Sequence, residues 1–170
     1  GGFGLMNPQG VRKATWFAYK YLNSLGDHEL ATGDAQSIAT LKDDTVQVLA
    51  WRWELPDQPV SNRPFFRQVR EAAAAAPLRI ELSGLSPGRH QVSVRRTGFR
   101  SNDAYTAWLE MGSPATLDAA QLARLQDLTR DTPELSEIEV GLDGRARLDV
   151  PMQVHDVVMV EVGRLTPGGR

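Results

Sequence analysis

The sequence predicts a mainly β protein, a β-sandwich with a few short helices. From residue 37 onward the apolar residues recur with a period of two in several short stretches. Clusters of Gly, Pro, Asp and Ser separate those stretches as turns would. About seven such strands in one chain is the number that suits two packed sheets.

A chain of 170 residues is long enough for a substantial core, and 41% apolar with 24% charged residues lies in the ordinary globular range. The net charge of −2 provides no broad positive field, so neither nucleic acid nor a membrane surface is an expected partner. No apolar run approaches the roughly 18 residues that span a bilayer. The absence of cysteine excludes disulfides, thiolate nucleophiles and cysteine metal sites. The histidines, His28, His90 and His155, are far apart and lack metal-site spacing, and Gly1-Gly2-Phe3-Gly4 lacks the lysine and hydroxyl residue of a phosphate loop. No cofactor and no metal is expected.

The chain opens without methionine on a glycine-rich, apolar loop, and reads as a piece cut from a longer polypeptide. A helix is predicted over 14–25, where Phe17, Ala18, Tyr21, Leu22 and Leu25 share one face and Gly26 stands at the left-handed stop position. Trp16 and Tyr19 lie off that stripe, so the helix expects two neighbours. Strands follow over 37–42 and 46–53, joined at Asp43-Asp44; the second is apolar on both faces and is predicted to be central. Residues 55–77 hold four prolines and an alanine run, and read as a long excursion with one helical turn.

Residues 78–84 and 89–96 are predicted to form a hairpin turned at Ser86-Pro87-Gly88, and 134–140 with 145–150 another, turned at Asp143-Gly144. A last strand covers 156–164. Between the hairpins, a short aromatic helix is capped by Ser101 or Asn102, favoured electrostatically by Asp103 and stopped at Gly112-Ser113-Pro114. A second helix opens on the capping box of Asp118 and Gln121, with Leu117 and Leu122 as its staple and Leu122, Leu125 and Leu128 as its buried stripe.

The dense stretch 95–114 draws attention as a site, yet its carboxylates do not pair. Asp103 and Glu110 are seven residues apart on one helix, about 10 Å, whereas retaining glycoside hydrolysis needs two carboxyl groups about 5–5.5 Å apart. Arg95, Arg96 and Arg100 read as a solvated edge, or as locks on Asp103 or Glu110. Trp51, Trp53, Tyr105 and Trp108 read as core residues first and as a sugar-stacking platform second.

Two stretches resemble a known family. The opening Gly-Gly-Phe-Gly-Leu-Met-Asn-Pro-Gln-Gly-Val, with Ala18-Tyr19-Lys20 and Leu25-Gly26-Asp27, is similar to the end of the (β/α)8 barrel of glycoside hydrolase family 39, which includes β-xylosidases and α-L-iduronidases. Asn102-Asp103-Ala104-Tyr105, Trp108, Met111-Gly112-Ser113-Pro114, Asp118, Gln121 and Leu125 resemble a segment of that family's C-terminal β-sandwich.

The resemblance implies a division at residue 30: 1–30 as the strand-exit loop and last helix of a truncated barrel, and 31–170 as an accessory β-sandwich. It implies a retaining β-xylosidase-like parent whose two catalytic glutamates, one in an Asn-Glu-Pro motif, precede Gly1. No residue here inherits a catalytic role, and the chain is expected to be inactive alone. Phe3 and Asn7 would lie near the sugar in the intact enzyme, because barrel sites sit at the C-terminal strand ends. The expected partners are the upstream barrel, a xylo-oligosaccharide in the intact enzyme only, and a second copy in a homo-oligomer. The alternative is an independent carbohydrate-binding module using exposed aromatics.

Overall fold

The computed structural model describes residues 4–165. In chain order come α1 (Ala14–Ser24), β1 (His28–Leu30), β2 (Ser37–Lys42), β3 (Thr45–Trp51), α2 (Asn62–Phe66), β4 (Ala74–Leu82), β5 (Gly88–Thr97), α3 (Ala104–Glu110), α4 (Ala119–Leu128), β6 (Glu134–Val140), β7 (Ala146–Gln153) and β8 (Val157–Arg164). Among the described residues the strands form two antiparallel sheets, one of six strands in the order β1-β2-β3-β8-β5-β6 and one pairing β4 with β7.

The period of two becomes the core between these sheets. Val46, Val48 and Ala50 of β3 and Val158, Val160 and Val162 of β8 meet Leu78 and Ile80 of β4 and Val150 and Met152 of β7. As its sequence predicts, β3 is central and buried on both faces. Its outer face is covered by α1, whose Phe17 and Tyr21 close over Leu49 and Met159. Phe17 and Tyr21 are almost wholly buried, and burial of side chains this size is worth roughly 2–3 kcal/mol each. The helix therefore forms a third layer on the large sheet.

Gln47, buried in the middle of β3, fastens the end of that helix. Its Nε2 donates to the Ser24 carbonyl at 3.1 Å, and its Oε1 accepts from Gly26 N–H at 2.9 Å, satisfying groups that a helix C-terminus leaves open. Gly26 does not take the left-handed stop expected of it. The helix ends at Leu25 in extended backbone, and Gly26 is required because a Cβ there would overlap the Leu41 carbonyl.

The two predicted hairpins are corrected. β4 pairs with β7, while β5 pairs with β6 and β8, so Ser86-Pro87-Gly88 and Asp143-Gly144 each carry the chain from one sheet to the other. Turn residues report a change of direction, and the same dipeptides serve a tight hairpin and a crossing at the end of a sandwich. The two crossings touch, with Leu85 N–H donating to Gly144 O at 3.0 Å. β1 has no counterpart among the predicted strands, being only three residues long.

The 55–77 excursion does contain one helical turn, α2. It ends sooner than predicted, because β4 already begins at Ala74; Pro77 is tolerated at a register shift between Ala75 and Leu78. The capping box of Asp118 and Gln121 is formed in full. Leu125 is buried beneath it, whereas Leu128 is exposed. Each step of three residues turns about 60° away from the last, so a 122-125-128 stripe drifts off the contact face.

Candidate functional site

The stretch 95–114 and the opening loop meet in a groove of about 690 Å³, lined by Asn7, Arg12, Asp103, Tyr105, Trp108 and Pro114 among others. On the loop side, Asn7 holds the turn. Its Oδ1 accepts from the N–H groups of Gln9 at 3.0 Å and Val11 at 2.8 Å, and its own N–H donates to Val11 O at 3.0 Å. Phe3, the other predicted sugar-proximal residue, lies outside the described residues.

On the other side, α3 is capped by Asp103 itself, not by Ser101 or Asn102. Asp103 Oδ1 accepts from Thr106 N–H at 3.0 Å and Oδ2 from Arg100 N–H at 3.2 Å. The carboxylate in the groove is thus occupied by structural bonds. Gly112 and Ser113 both take positive φ and end the helix as predicted. Val11, Ala104, Ala107 and Leu125 form a small core beneath, with Trp108 and Met111 packed against it.

Asn102 has a different role. With φ of 50° it turns its carboxamide inward, where Nδ2 donates to Arg96 O at 2.8 Å and to Asp131 Oδ1 at 2.9 Å, and Oδ1 accepts from Asp131 N–H at 3.0 Å. The Asp131 side chain is completely buried. It also accepts from Lys20 Nζ at 2.6 Å and from the Tyr21 hydroxyl at 2.5 Å. Burial, then the bond to this carboxylate, pushes the Tyr21 phenol well above its usual range. At the surface, the neighbouring His28 holds the Asp27 carboxyl below the usual carboxylate range.

Arg95 and Arg96 are part-buried and do not form a solvated edge: Arg95 pairs with Glu161 at 2.7 Å and Arg96 with the buried Asp156. Arg100 is exposed and reaches Glu110 at 2.8 Å, the lock expected of it. β5 and β8 are adjacent strands, which brings the first two acids into reach from more than 50 residues away. Among the described residues no cluster of three or more metal-ligating side chains occurs.

The expectation of buried rings is corrected. Trp53 is 64% exposed and Tyr105 46% exposed, with Trp51 and Trp108 half-buried. Tyr105 and Trp108 stack on each other, centroids 5.6 Å apart and planes inclined by 28°, so each covers a face of the other. Their polar tips are tied as well, Tyr105 to Phe66 O at 2.7 Å and Trp108 to Pro114 O at 3.0 Å. Of the residues that organise this region, Asp131 could not be found by pattern, because its partners lie 29 and 110 positions away.

Comparison with known proteins agrees with this architecture. The model of glycosyl hydrolases family 39 matches residues 1–145. A curated β-xylosidase of Caldicellulosiruptor saccharolyticus is 23% identical over 95% of this chain, which covers 32% of that protein. Among solved structures, a family 39 enzyme from Xanthomonas axonopodis pv. citri is 41% identical with a TM-score of 0.93, over 97% of this chain and 33% of its own. A monomeric β-xylosidase from Caulobacter crescentus CB15 is 48% identical with a TM-score of 0.92, over 98% of this chain and 34% of its own. The chain thus spans about a third of the length of these relatives, and the homology is to the C-terminal portion of family 39 β-xylosidases. By the breadth of the family match and the closeness of the fold, the chain belongs to glycosyl hydrolases family 39.

Proposed function

We propose that this chain is the non-catalytic accessory part of a β-xylosidase-like glycoside hydrolase, with the opening loop and α1 of residues 1–30 completing the barrel and 31–170, joined by β1 (His28–Leu30), forming the supporting sandwich. The observation that carries this reading is the two-sided character of α1. One side is sealed onto the large sheet through Phe17 and Tyr21, while Tyr19 (59% exposed) and Leu22 (49% exposed), the latter expected on the sealed stripe, face outward. A short helix with apolar residues on both sides requires a second neighbour, and the barrel of the same polypeptide supplies one.

The connection from β3 to β4 supports a role at the active-site rim. It is long for a compact domain, and it exposes Leu55, Val60, Phe66 and Val69. Asn7 is a positioning residue in this account: its side chain fixes the loop that follows Phe3, so that both lie near a xylo-oligosaccharide in the intact enzyme. The experiment uses a longer polypeptide carrying the barrel. Replacing Leu55 and Phe66 with serine there should raise KM for xylobiose with the fold intact. An unchanged KM and kcat would remove the rim role.

An independent carbohydrate-binding module called for a coplanar exposed pair of rings. The mutual stacking of Tyr105 and Trp108 favours the accessory reading over it. Self-association was a further expectation, and sedimentation of the chain at several concentrations tests it.

A further inference from the structure

Residues 54–72, the connection on which the rim role rests, are held to the body of the fold at very few points. Inside the segment, Gln58 donates to Val60 O and to Asn62 Oδ1, and the Arg70 guanidinium lies 3.9 Å from the centre of the Phe65 ring. These contacts shape the segment but attach it to nothing else. Phe65 is buried and anchors it by apolar contact. Among the described residues, one hydrogen bond joins 54–72 to the rest of the chain, from the Tyr105 hydroxyl to Phe66 O at 2.7 Å.

The carbonyl that accepts this bond needs a donor. α2 ends at Phe66, and the last carbonyls of a helix have no partner within it. Arg70 Nε donates to Phe65 O at 3.2 Å, and Tyr105 supplies the donor for the next carbonyl. Tyr105 is itself held in place. Its ring stacks on Trp108, whose indole N–H is bonded to Pro114 O, and the helix that carries both is capped by Asp103.

Tyr105 also stands between two cavities. It lines the groove beside the opening loop, and it lines a second cavity of about 390 Å³ together with Phe65, Phe66, Phe99 and Leu109. One side chain thus borders the spaces beside both elements assigned to the rim, the loop held by Asn7 and the connection from β3 to β4.

We propose that Tyr105 is a positioning residue for xylo-oligosaccharide binding at that rim: its hydroxyl latches residues 54–72 against α3, so the segment is ordered before the substrate arrives. The latch rests on the rim role proposed above. A segment already held in its bound conformation need not be ordered on binding, and the complex is tighter for it. Because Phe65 remains as an anchor, losing the latch loosens the segment without releasing it.

The test is Tyr105→Phe, which removes one hydroxyl and keeps the stacked ring. In the 170-residue chain, amide exchange along 54–72 should become about fivefold faster, the factor for one hydrogen bond. Exchange there at the original rate would overturn the latch. In the longer polypeptide carrying the barrel, the same substitution should raise KM for xylobiose about fivefold at unchanged kcat, the split that follows when binding alone is weakened. A general loss of stability would not produce that split. An unchanged KM in Tyr105→Phe, with the Leu55 and Phe66 serine variants still raising it, would overturn the latch and leave the rim role standing. An unchanged KM in all of them removes both.

Discussion

The Tyr21 hydroxyl donates to Asp131 Oδ1 at 2.5 Å, joining residues 110 positions apart. Lys20 and Asn102 bond to the same carboxylate, so one buried acid ties α1 to the loop before α3 and to the loop between α4 and β6. A buried carboxylate is stable only when paired and hydrogen-bonded, and three donors, from Lys20, Tyr21 and Asn102, meet that requirement here, with the Arg95 guanidinium 4.0 Å away. The helix is thereby made part of the sandwich fold.

Replacing Asp131 with alanine should cost about 3 kcal/mol, since it leaves the buried Tyr21 hydroxyl without an acceptor and removes the charge-assisted contact with Lys20. A shift of the urea midpoint, with the slope unchanged, would measure it.

Alkaline pH should weaken the same junction. The folded phenol of Tyr21 titrates above its ordinary value, so its contribution is complete below about pH 10, the value of a free phenol. Above that pH the unfolded chain releases a proton that the folded chain retains, and stability falls as pH rises. Stability measured from pH 8 to 11 should show this decline, and Tyr21→Phe should remove the part due to this residue while costing about 1 kcal/mol at neutral pH.

Gly98 and Gly26 are fixed by contact. A Cβ at Gly98 would overlap the Asp156 carboxylate, which is bonded to Gln153 N–H at 2.8 Å and to Arg96, and one at Gly26 would overlap the Leu41 carbonyl. Alanine at either should destabilise by about 2–3 kcal/mol, whereas Gly33→Ala, in open space, should be close to neutral. Thermal midpoints of the three variants give the comparison.

Phe17→Ala should cost about 3–5 kcal/mol, because it opens a cavity between α1 and the large sheet. Hydrogen exchange should then be faster along 14–24 than in β3 and β8.

Much of this was legible in local pattern. The strands of the central sheet show as period-two runs, and Asp118 with Gln121 announces α4 three residues apart. What was illegible depends on contacts between distant segments. The pairing of β4 with β7 comes from which strands bury together, not from the turn that follows β4. The inward turn of Asn102, the acids that answer Arg95 and Arg96, and the Asp131 junction all depend on the sandwich closing first. Trp53 misled for a related reason: a large aromatic beside a central strand suggests core, yet β3 ends at Trp51 and the ring falls just past the covered sheet.

The claim that this chain supports catalysis without performing it is tested most directly by incubating the purified 170-residue chain with an aryl β-xyloside and following release of the aryl alcohol. The account predicts release at the buffer rate. Saturable turnover by the chain, abolished when a carboxylate within it is replaced, would contradict it.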